Sequence, residues 1–207
     1  MSKGENIKFI GDPISYLSRC VLSTWELCTS QQRLLLGQAT IHWFDIKPMK
    51  SWSRLNAIRL LHQYQDTPFS GLWLPQGESI ELPTRGTPHR FVFTPELTGC
   101  NLYVDRMTNG NLRVYHVHMD HVEEQYGIPA LFDEDRMIDR IHWEDYGVNG
   151  DMDQTRATLV LYFLKGHWWV IVQKILGPPE GALGPYVHAR GYVTQSVRGC
   201  YTRPLNY

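Results

Sequence analysis

The sequence predicts an α/β fold. It reads as a single domain, with a β-sandwich-like core of mixed, largely antiparallel sheets surrounded by helices and loops. Three observations predict it. After residue 70, short runs rich in β-branched and aromatic residues recur between turn residues. Two turn dipeptides, Asn109-Gly110 and Lys165-Gly166, join neighbouring runs as hairpins. Helical periodicity is confined to the first third of the chain and to a stretch beginning at Pro129. The 207 residues suit one domain over positions 1–207, large enough to bury a core without a disulfide or metal staple.

Taken in order, Asp12 followed by Pro13 is a helix start: a capping side chain, then a residue with its φ angle preset. Ile14, Leu17, Val21, Trp25 and Cys28 follow at helical spacing and predict a helix through them. A second helical stretch runs from near Ser30 to Gly37. Residues 38–46 alternate and predict a strand, whereas Trp52, Leu55, Ile58 and Leu61 form one face of a short helix. Strands are then predicted at 72–74, 80–82, 90–93, 101–106, 112–118, 158–164 and 168–175. Between the two hairpins, Leu131, Met137, Ile138 and Ile141 predict a helix over 129–143. Pro178-Pro179 and the glycines up to Pro185 read as a loop within the domain.

The formal net charge is -1, the pI is about 6.7, and no basic block stands out. This composition argues against nucleic acid or an anionic membrane as partner. Asp133-Glu134-Asp135 reads as a solvated helix face. The cysteines Cys20, Cys28, Cys100 and Cys200 form no C-x-x-C pair, and no His sits at zinc-ligand spacing from two of them. They read as reduced thiols, which predicts work in a reducing compartment and no structural zinc site. Residues 1–9 carry no apolar signal core and no run is long enough to span a bilayer. Export, if it occurs, is therefore expected without a conventional signal peptide.

One segment has the makings of chemistry: Thr94-Pro95-Glu96-Leu97-Thr98-Gly99-Cys100, followed by a hairpin that returns through Val114-Tyr115-His116-Val117-His118. A nucleophilic thiol needs a depressed pKa or an adjacent base, oxyanion donors, and access. Gly99 allows close backbone approach and can aim a main-chain N–H at a developing oxyanion. The hairpin brings an imidazole back toward Cys100. A two-residue turn would set Cys100 opposite Met119 and Tyr103 opposite His116; a three-residue turn would set Cys100 opposite His118. Register alone thus slightly favours His118, with Asp120 nearby, over His116 as the base. A cysteine before a strand is also commonly just a small buried hydrophobe. The second Gly-Cys pair, Gly199-Cys200, has no His after it and serves as an internal control. Cys20 and Cys28 read as packing residues, the other histidines as surface or capping groups, and at least one ring of Trp168-Trp169 as core.

The segment resembles the toxin glutamine deamidases typified by Burkholderia lethal factor, with the catalytic domain of cytotoxic necrotizing factor and the chemoreceptor deamidases as more distant relatives. These share a Leu-Ser-Gly-Cys type motif, read here as Leu97-Thr98-Gly99-Cys100, with a His one hairpin later. Thr94 stands six residues before the Cys, as in the lethal-factor group. Leu72-Trp73-Leu74-Pro75 looks like an upstream strand of that toxin, and Val114-Tyr115 before His116 matches the pair preceding its catalytic His. The resemblance covers residues 71–118, near a quarter of the chain.

The resemblance implies Cys100 as nucleophile, His116 as general base then acid, and Thr94 assisting through its hydroxyl, with neither a metal nor an organic cofactor. It implies a bacterial toxin or effector, expected to be a monomer, that reaches the host cytosol. There it would deamidate a protein substrate, the precedents being Rho-type GTPases and a translation-initiation RNA helicase. Two other readings compete: another cysteine acyl-transfer enzyme, such as a transglutaminase or protease, and a non-enzymatic binding module with a buried Cys100.

Overall fold

The computed structural model describes residues 2–24, 27, 39–51, 56–61, 68–117, 136–146, 156–176, 192–193 and 196–207. Helices α1 (Ser2–Gly11) and α2 (Pro13–Leu17) open the chain, followed by β1 (Cys20–Ser23), β2 (Thr40–Ser51), β3 (Asn56–Leu61) and β4 (Phe69–Trp73). Then come β5 (Ser79–Leu82), β6 (Phe91–Phe93), β7 (Asn101–Arg106), β8 (Leu112–Val117), β9 (Met137–Ile141) and a one-turn helix, α3 (Trp143–Tyr146). The chain closes with β10 (Ala157–Leu164), β11 (His167–Leu176), β12 (Tyr192–Val193) and β13 (Ser196–Pro204).

Among the described residues these strands form two sheets. The larger runs β1-β3-β2-β4-β6-β10-β11-β13, with β12 beside β2; the smaller runs β5-β8-β7-β9. Only β1–β3, β12–β2 and β4–β6 pair in parallel, so the fold is an α/β sandwich of mixed, largely antiparallel sheets.

Side-chain alternation sets which residues meet. Along β10, Leu159 and Leu161 point between the sheets, where they join Leu72, Val92, Trp168 and Val170 from the same sheet. Facing them from the small sheet are Leu82, Leu102, Val104, Leu112 and Val114. Val160 and Tyr162 point the other way, into a second core with Phe44, Phe91, Phe93 and Trp73, capped by Phe9 of α1 and Leu17 of α2. Burial on both faces is why β10 reads as a nearly unbroken apolar run. Trp168, fully buried, is core as expected, and its Nε1 donates to the Pro83 carbonyl at the end of β5, tying the two sheets together.

Three helical expectations give way to strands. The helix begun at Pro13 is capped by Asp12, which accepts from the Ser15 N–H, but it stops at Leu17. Cys20, Val21 and Leu22 are instead consecutive buried residues of β1. The cause is tertiary: the buried Gln173 amide donates to the Leu17 and Cys20 carbonyls, and its oxygen accepts from the Leu22 N–H. These bonds replace the helical ladder. Residues 56–61 form β3 rather than a helix, because β2 and β1 flank them and pair with their backbone. Residues 137–141 are the strand β9 on the edge of β7, and only Trp143–Tyr146 is helical there. The expected helix at 30–37, and positions 25, 28, 52, 55 and 129–135, lie outside the described residues. Helix α1 and strand β13 were not foreseen.

The hairpins differ. Lys165 and Gly166 take φ of 51° and 85°, a two-residue turn linking paired Leu164 and His167. At Asn109-Gly110 only the glycine, at φ 83°, is left-handed. The Met107 N–H donates to the Asn111 carbonyl and the Gly110 N–H to the Met107 carbonyl, giving a three-residue turn rather than the two-residue form. Asn109 and Asn111 both donate to Glu81, fixing this choice.

Candidate active site

The site gathers at one end of the sandwich, where the β6–β7 connection crosses from the large sheet to the small one. Thr94 follows β6 and continues the inward face of Val92; its side chain is buried. Leu97 bridges Ala157, each residue donating its N–H to the other's carbonyl. Glu96 and Arg156, both mostly buried, approach to 4.0 Å. The connection is therefore pinned to β10 before it reaches Gly99.

Gly99 has φ of 88°, yet nothing lies within 4 Å of where a Cβ would stand. The backbone angle, not lack of space, requires glycine there. Cys100 follows at the head of β7, with α3 gripping the chain around it. The Tyr146 hydroxyl donates to the Cys100 carbonyl at 2.5 Å, and the Trp143 N–H donates to Asn101 Oδ1 at 2.9 Å.

His116 lies near the end of β8, paired with Leu102 of β7. Its main chain is held from the other side by the turn after β4: its N–H donates to the Glu78 carbonyl, and its carbonyl accepts from the Gly77 N–H. Strand alternation sends its side chain inward with Leu112 and Val114. There Nδ1 meets Thr94 Oγ1 at 2.5 Å, a contact spanning the two sheets. If the hydroxyl accepts from Nδ1–H, the imidazole keeps its lone pair on Nε2; if it donates, the proton sits on Nε2.

The structure therefore brings Thr94 and His116 into direct contact, and places Cys100 on the same inner face of the small sheet. Cys100 stands two residues before Leu102, the residue paired with His116, so Cys100 and His116 are one diagonal step apart; such positions lie roughly 7–8 Å apart between Cα atoms. His118, the alternative base, and Asp120 lie outside the described residues.

The thiol itself is enclosed. Cys100 is 3% exposed, and burial pushes its pKa up to about 11, partly offset by a main-chain hydrogen bond at Thr98. In this state the sulfur is a protonated thiol, not an open thiolate, so the access and depressed pKa of a primed nucleophile are not present at rest. Sequence reasoning also missed a contact: Gln76 Nε2 donates to Cys100 Sγ at 3.5 Å. Gln76 sits in the turn that holds His116 and is itself exposed. Its only sequence signal was its place directly after Trp73-Leu74-Pro75. Tyr146 was equally silent, since its role arises from where α3 folds.

The control pair behaves differently. Gly199 and Cys200 lie in mid-strand on β13, Cys200 opposite Gln173, and Gly199 is not left-handed. Burial lifts the Cys200 thiol to about 11 and that of Cys20 to about 12. Among the described residues, no group of three or more His, Cys, Asp or Glu converges to hold a metal ion. No protein-family model matches the chain, and no curated protein sequence matches it.

Proposed function

We propose that this protein is a cysteine-dependent deamidase that converts a side-chain glutamine of a protein substrate to glutamate. The observation that carries the reading is the buried Thr94 Oγ1–His116 Nδ1 contact, made across the sandwich on the face that also bears Cys100. A hydroxyl fixing one imidazole nitrogen orients the ring, and where it accepts from Nδ1–H it leaves the Nε2 lone pair free to act as general base. His116 takes the thiol proton as Cys100 Sγ attacks the carboxamide carbon, and the C=O electrons move onto oxygen. The C–N bond then breaks, His116 returns its proton, and ammonia leaves. Water activated by His116 hydrolyses the thioester, giving glutamate and restoring the thiol. An amine in place of water would make the same centre a transglutaminase.

By the family precedent, the chain acts as a bacterial effector inside a host cell, on a GTPase or a translation-initiation helicase. The test is to incubate the wild type, Cys100→Ser and His116→Ala with eukaryotic cytosolic lysate and map Gln-to-Glu conversion by peptide mass spectrometry. Conversion at one or a few glutamines that needs both residues supports the reading; none, with all three proteins folded, sinks it. One observation favours a second reading, a binding module with a structural cysteine: the near-complete burial of Cys100. That reading requires Cys100→Ser to leave function intact.

A further inference from the structure

We propose that Gln76 is a catalytic hydrogen-bond donor of this site, supplying a side-chain N–H to the oxyanion formed when Cys100 adds to a carbonyl. The inference rests on the cysteine-nucleophile reading above. Its physical basis is the Gln76 Nε2 to Cys100 Sγ contact at 3.5 Å. When Sγ bonds to a carbonyl carbon, negative charge leaves sulfur for an oxygen one bond beyond that carbon. A donor already at the sulfur then needs only a small shift to follow the charge. A useful oxyanion donor sits about 2.7–3.1 Å from the new oxygen.

The placement of Gln76 suits the task. It is flanked by Pro75, which fixes φ, and by Gly77, at φ 87°, whose N–H is committed to the His116 carbonyl. The glutamine and the imidazole are thus carried on hydrogen-bonded backbone, so donor and base move together. Gln76 is exposed while Cys100 beneath it is buried, so its amide stands where an incoming carbonyl must arrive. It enters as a donor, nitrogen toward sulfur, which is the polarity an anion needs.

The same contact would also serve a mere lid over the thiol, and two reagents tell these roles apart. Iodoacetamide alkylates sulfur by direct displacement, with no oxyanion. 4-Nitrophenyl acetate acylates it through a tetrahedral oxyanion and releases 4-nitrophenolate. Both rates are measured on the full chain at one alkaline pH, with the Cys100→Ser rate subtracted, for the wild type, Gln76→Met and Gln76→Ala. Methionine keeps the length of the side chain and removes the N–H. Loss of thiolate stabilisation or a change in access moves both rates together, so their ratio isolates the oxyanion. The acylation-to-alkylation ratio is expected to fall at least tenfold in both variants, toward the 10²–10³ lost with a single oxyanion donor. An unchanged ratio, whether both rates rise, fall or stay, overturns the role of Gln76 and leaves Cys100 as nucleophile untouched. A wild type in which Cys100 reacts with neither reagent overturns the nucleophile reading itself.

Discussion

At the scale of single residues, the Thr94 hydroxyl and the His116 ring are both buried and meet in one hydrogen bond. Thr94→Val keeps the shape and removes the hydroxyl. It is expected to lower turnover by about 10²-fold, through loss of imidazole alignment. It should also cost about 1–3 kcal/mol of stability, through loss of a buried hydrogen bond. Thr94→Ser should recover most of both, read by steady-state conversion and urea unfolding. The thiol makes a second prediction at this scale. With Cys100 held at about 11 by burial, its alkylation by iodoacetamide should keep climbing with pH through 10, without a plateau near neutrality. A plateau below pH 8 would mean the thiolate is stabilised in solution in a way this geometry does not provide.

At the scale of elements, the strands were legible where the sequence carries the cause. The apolar run of β10, the largely buried β8 and the short β6 reflect burial on one face or two, and hydropathy records burial directly. Residues 20–23, 56–61 and 137–141 were misread because their strand state is decided elsewhere in the chain. Apolar residues three and four apart fit a helix equally well until a partner strand arrives. For β1 the decisive partner is Gln173, about 150 residues away. Gln173→Leu should therefore destabilise the fold by about 2–4 kcal/mol, since it strands two carbonyls and an N–H in the core. Chemical denaturation measures this, and a loss below 1 kcal/mol would show that β1 does not depend on the amide. The site divides the same way. Thr94, Cys100 and His116 could be singled out as candidates because they belong to one contiguous stretch. Gln76 and Tyr146 were not, because a turn after β4 and a one-turn helix after β9 deliver them.

At the scale of the whole molecule, the buried acids set the response to alkali. Burial lifts Cys20 to about 12 and Cys100 and Cys200 to about 11, and raises Tyr16 and Tyr146 as well. The folded chain thus holds these protons more tightly than the unfolded one. Stability is whole below the ordinary thiol range and drains away as pH rises from about 9 toward 11. Between pH 8 and 10.5 the unfolding free energy should drop by about 2 kcal/mol or more, with one pKa unit corresponding to about 1.36 kcal/mol. Flat stability over that range would show that these groups titrate as if exposed.

The Thr94–His116 contact joins residues carried on opposite sheets, with Trp168 and Pro83 bracing those sheets farther along. On the proposed reading, catalysis in such an arrangement would work as a gauge of sheet spacing. Trp168→Phe, remote from the thiol, lets the layers settle closer or slide, and turnover should fall out of proportion to the stability lost. Warming should do likewise, so that activity fades several degrees before the fold melts.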